Sequence, residues 1–172
     1  MKTFLTVTLT LMLMVPEFFA GNLGLAPALP LYGAVCIFIA FGTAYGVSAA
    51  GFAALMADII YDRPFPAWTI AAVIILFCSA SAAKRMQRKQ PGAALVSGAV
   101  CGTLTALYNI FIVYFTGGTL AGPDPYSLLI FHLAGGMLFM FLLVLIFDAL
   151  NLRSDLPRFG IYDSRGMRGA DS

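Results

Sequence analysis

Apolar residues fall along this chain in six blocks, at 3–20, 30–41, 45–61, 66–83, 93–115 and 126–150. Crossing a hydrocarbon core of about 30 Å takes roughly 20 helical residues, so most of these blocks are long enough to be membrane spans. The second and third are short, and only "GTAY" at 42–45 parts them. Joined, they are too long for one helix unless it tilts steeply. The connections "GNLGLAPAL", "DRPF" and "TGGTLAGPDP" are rich in Gly and Pro, as turns are. From residue 151 the chain turns polar. This pattern predicts a transmembrane domain at 1–150 and a mobile cytoplasmic tail at 151–172.

Lysine and arginine decide the number of crossings, because cytoplasmic loops collect them. Lys84, Arg85, Arg88 and Lys89 cluster after the fourth block, and Arg153, Arg158, Arg165 and Arg168 follow the sixth. Two spans separate the clusters, so both can face the cytoplasm. With Lys2 also inside, an even number of spans must precede Lys84, and only Arg63 is left outside. The expected fold class is an all-α integral membrane protein, a six-helix transmembrane bundle with both termini cytoplasmic. Such a chain is expected to cross its membrane several times.

Composition supports a lipid solvent. Of 172 residues, 60% are hydrophobic and only 10% charged, against about a quarter charged in ordinary globular domains. A formal net charge of +2 offers nothing to nucleic acid. Cys36, Cys78 and Cys101 lie within apolar blocks and are odd in number, which argues against a disulfide framework or a zinc site. The start resembles a signal peptide, but "PEFFAG" puts Phe18 where cleavage needs a small residue. It reads as a retained first span.

Helices in lipid associate through small residues and a few polar bonds. Two ridges with a four-residue step are visible: Gly42, Gly46, Ala50, Ala54, ending at Asp58, and Ala94, Gly98, Gly102, Ala106. Each is expected to pack the bundle or to receive a partner helix. Asp58 lies about one turn from the outer end of its helix. It is either an interfacial acid that can pair with Arg63 or a group in a helix or partner contact. Glu17 and Asp148 lie near helix ends and read as structural. Asn109 and His132 each sit six residues from their shared loop, which predicts equal depth and an interhelical hydrogen bond.

No nucleophile, base and metal constellation appears, nor a phosphate loop, so no enzyme, cofactor or metal is expected. A solute pocket open to the outside could use Asp58, Asn109 and His132.

The stretch 26–85 resembles the core of MreD, the rod shape-determining membrane protein family, through the pieces "APALPLYGAVCIFIAFGTAYGVSAAGFAALMADII", "DRPFP" and "AWTIAAVIILFCSASAAKRMQRK". "LLVLIFDALNLR" resembles that family's closing helix and basic exit. The family often has glycines four and eight residues to either side of the aspartate. Here those places hold Ala50, Ala54, Asp62 and Pro66. The resemblance implies a non-enzymatic subunit of the bacterial cell-elongation complex, placed in the bacterial inner (cytoplasmic) membrane. It would bind MreC and, through it, act with MreB, RodA and a class B penicillin-binding protein in peptidoglycan synthesis. The family is also similar in fold to substrate-binding subunits of energy-coupling-factor vitamin transporters, which supplies the alternative function. Those subunits tend to show an Ala-x-x-x-Ala patch on the first helix, and "TFLTVTLTLMLMVPEFFA" has none.

Overall fold

The computed structural model describes residues 2–22, 28–60, 67–85, 91–116 and 124–151. They form six α-helices: α1 (Lys2–Asn22), α2 (Leu29–Phe41), α3 (Thr43–Ile60), α4 (Ala67–Arg85), α5 (Pro91–Thr116) and α6 (Pro125–Asn151). Each apolar block became one helix. Five of the six are long and apolar enough to cross a membrane, and α2 is the exception. With 13 residues it spans about 20 Å at 1.5 Å per residue, short of a 30 Å core. The six helices expected from the sequence are all present, and α2 is one of the two that the pattern marked as short. The tail at 152–172 lies outside the described residues, as does Arg63.

The short helix is the centre of the bundle. Every residue of α2 from Leu29 to Ile39 is buried, whereas the long helices expose large apolar side chains such as Met12, Ile74, Phe111, Leu138 and Ile146. In water such exposure would be costly; facing acyl chains it costs nothing, so the pattern fits a bilayer. Around α2 the others form an arc in the order α1, α3, α4, α5, α6. Among the described residues, no Cα of α1 lies within 8 Å of one in α6, so the arc is open there. The largest fully buried side chains, Tyr32, Ile37, Leu76, Met140 and Phe147, come from α2, α4 and α6.

The α2–α3 turn is tighter than "GTAY" suggests. Gly42 alone breaks the helix, at φ 103° and ψ 175°, and its N–H donates to the Phe38 carbonyl at 3.1 Å. That φ is disfavoured for any residue with a Cβ. The turn sets Gly46 against Phe38, and a Cβ at Gly46 would collide with that side chain. Farther out, Lys84 Nζ stands 5.1 Å from the centre of the Phe38 ring. The C-terminal ends of α2 and α4 therefore share one face of the bundle.

Gly42→Ala should lower stability by about 1 kcal/mol or more, because alanine pays for that φ. Gly51→Ala should be neutral or mildly stabilising, since a Cβ there meets nothing within 4 Å. Thermal unfolding of both variants in detergent checks the contrast.

Candidate functional site

Where water is absent, a helix N-terminus must find acceptors for its free N–H groups inside the protein. The sequence supplies acids at the starts of α2, α4 and α6. At α2 the N-cap residue is Ala28, in left-handed conformation (φ 57°, ψ 38°) and without a side-chain acceptor. Glu17 of α1 takes that role. Its Oε1 accepts the Ala28 N–H at 3.1 Å and its Oε2 the Leu29 N–H at 2.9 Å. A carboxylate at a helix N-terminus also faces the positive end of the dipole. Glu17 is thus structural, as expected, but it works inside the bundle.

Asp58 does the same for α4. It is 2% exposed, and its Oδ2 accepts both the Thr69 backbone N–H at 3.2 Å and the Thr69 hydroxyl at 2.9 Å. Its Oδ1 has no partner among the described residues. Of the two roles considered for Asp58, the geometry gives the helix contact, α3 to α4. Asp124 caps its own helix: Oδ1 accepts the Ser127 hydroxyl and Oδ2 the Ser127 N–H. The Ser127 hydroxyl, first among the causes, holds the Asp124 carboxyl below the usual carboxylate range. This exposed cap is present at neutral pH and weakens as pH falls through the lowered pKa.

Both small-residue ridges are consumed within the bundle. Ala50 and Ala54 are buried, and Gly46 meets α2. In the second ridge Ala94 and Ala106 are buried too. A Cβ on Gly98 would strike the Gly136 carbonyl, and one on Gly102 the His132 carbonyl. At Gly136 a Cβ would come within 2.9 Å of the Tyr32 hydroxyl. Here α5 and α6 approach backbone to backbone, and the Tyr32 hydroxyl from α2 closes on the seam.

This register corrects the expected depth of Asn109 and His132. Gly98 faces Gly136 and Gly102 faces His132, so the antiparallel step carried outward sets Asn109 level with Pro125. His132 is seven residues away, about 10 Å along the axis. The hairpin is asymmetric, since α5 runs past the start of α6 and exposes Tyr114 and Phe115 beyond it. His132 is buried, with Nδ1 3.1 Å from the Leu128 carbonyl of its own helix. Asn109 instead borders a cavity.

That cavity, of about 40 Å³, lies at the end where Glu17 caps α2. Its wall is small and apolar on α3 (Ala50, Ala53, Ala54, Ala57), with Trp68 and Ala72 from α4 and Pro30 and Leu31 from α2. Glu17, Thr105 and Asn109 are its polar members. Asp58 and His132, which the sequence suggested for a pocket, are not among the lining residues; Asn109 is. Thr105 was missed as a pocket residue because a single threonine hardly breaks its apolar block, and Glu17 because its place near a helix end gave it a structural reading. Among the described residues no group of three or more His, Cys, Asp or Glu could hold a metal ion.

No protein-family model, no curated protein and no solved structure matches this chain.

Two pairs of variants test the caps and the register. Asp58→Ala and Thr69→Val should each destabilise by about 1–3 kcal/mol, and the double variant by clearly less than the sum, because they break one linkage. Asn109→Leu and His132→Leu should be additive within about 0.5 kcal/mol, as befits distant sites. Coupling between that second pair in unfolding measurements would refute the register.

Proposed function

We propose that this chain is a non-enzymatic membrane subunit of the bacterial cell-elongation complex, acting in the manner of the MreD family that it resembles. In this reading it sits in the inner membrane, binds MreC, and through it supports MreB, RodA and a class B penicillin-binding protein during peptidoglycan synthesis. The all-helical bundle of six, five of them long enough to span, supports this reading.

The observation that carries it is the small size of the cavity bordered by Glu17, Thr105 and Asn109 among the described residues. Ligand sites for molecules of vitamin size run to about 300–1,000 Å³. The cavity here, at about 40 Å³, is far smaller. A carrier that encloses a vitamin needs room that Tyr32, Leu31 and the α5–α6 seam occupy. A subunit that works through its outer surface does not. Because both ridges are internal, the partner contact falls on lipid-facing side chains rather than on Ala54 or Gly102.

Affinity purification of the tagged chain from its host should bring down an MreC-type protein, and its depletion should turn rods into spheres. Neither outcome occurring would remove the reading. Ala54→Leu should lower thermal stability by about 1–3 kcal/mol through overpacking, with co-purification unaffected. For topology, single cysteines at Gln87 and Ser164 should resist an impermeant thiol reagent in intact cells, and one at Gly118 should react. Labelling at Gln87 from outside would refute cytoplasmic placement of that loop.

A further inference from the structure

On α3 the cavity is bordered by Ala50, Ala53, Ala54, Ala57 and Ile60, the last residue of that helix. From Ala50 to Ile60 the wall measures about 15 Å at 1.5 Å per residue. That is about half of a 30 Å hydrocarbon core, the depth of one leaflet. A volume of about 40 Å³ drawn out along such a wall is a slot rather than a chamber. Its rim reaches the outside of the bundle, because Phe18 of α1 and Ile60 both line it and are 44% and 46% exposed. The apolar side chains exposed on the long helices mark that outside as hydrocarbon.

We propose that this slot holds one acyl chain of a phospholipid from the leaflet at that end of the bundle. A chain entering between Phe18 and Ile60 runs inward along the alanines, in the direction that the chains of its leaflet already take. Its ester and headgroup stay at the membrane surface, so no polar atom of the lipid is buried. Water suits the slot less well. A buried water needs about two to four polar partners, and the α3 wall offers only apolar side chains. The polar members of the lining are engaged elsewhere. Glu17 holds the N–H groups of α2, and the Thr105 hydroxyl is bonded to the Cys101 thiol. Asn109, level with the start of α6, lies toward the end where lipid esters sit. An empty slot would leave its walls without the dispersion contacts that a methylene chain supplies. This occupant does not depend on any partner protein.

Trp68, the only tryptophan of the chain, lines the slot and is 6% exposed, so its emission reports what enters. The test is the fluorescence of the full chain reconstituted in phosphatidylcholine with brominated acyl chains, which quench at short range, against the unbrominated lipid. The parent should lose most of its emission in the brominated lipid. Ala57→Leu, which puts bulk into the slot near its mouth, should recover most of that loss. Gly51→Leu adds the same bulk to α3 where a Cβ meets nothing within 4 Å, and it should be quenched like the parent. Ala57→Val takes the place of Ala57→Leu if the larger residue prevents folding. An unquenched parent, or equal quenching in the parent and the folded Ala57 variant, would overturn the proposal. So would stronger quenching of the parent by aqueous acrylamide than by the brominated lipid, which marks a slot filled with water.

Discussion

The structure depends on a constraint set by the solvent: no backbone N–H can be left bare in hydrocarbon. A full-length span meets it at the interface, where water caps the helix. Helix α2 cannot, because it stops inside the bundle. Its N-cap residue, Ala28, brings no side-chain acceptor, so the acceptor comes from α1 as Glu17. This places a charged residue in an apolar block without making it catalytic. It also binds α1 to the rest. Among the described residues the α1 backbone comes near that of α2 and α3 alone; α1 exposes Phe4, Met12 and Phe19 outward and packs Leu5, Leu9 and Leu13 against the core, and the two Glu17 bonds add to that packing.

The second dependence is on side-chain size, and it takes two forms. At Gly98, Gly102 and Gly136 the absence of a Cβ lets two backbones meet, and alanine at any of the three would collide with a facing carbonyl. At Ala50, Ala53, Ala54 and Ala57 a methyl group is tolerated and space remains beyond it. Glycine here closes a seam, while alanine keeps a hollow open. The two ridges look alike as four-residue repeats, yet one ends in contact and the other in a cavity.

Much of this was legible in the sequence, and the limits have physical causes. The helix blocks were clear because apolar length is a strong signal, and both ridges were visible as packing surfaces. That α2 is interior was not visible, because in lipid a buried helix and an exposed one are equally apolar. Depth was misjudged for Asn109 and His132 because it was counted from the loop, whereas the glycine seam sets the register. Asp58 stood out as an acid near a helix end. Its partner, Thr69, lies across a turn that no local pattern joins to it.

The cavity follows from the same short helix. The C-terminal end of α2 is held level with that of α4, where Lys84 covers Phe38. The length that α2 lacks, about 10 Å against a full hydrocarbon core, is therefore missing at the Glu17 end. There Ala28, Pro30 and Leu31 form part of the cavity's lining. One more turn added at the start of α2 would fill the hollow and carry the free N–H groups about 5 Å past Glu17. The length of α2, the acid that caps it and the alanine wall beside it can then change only together.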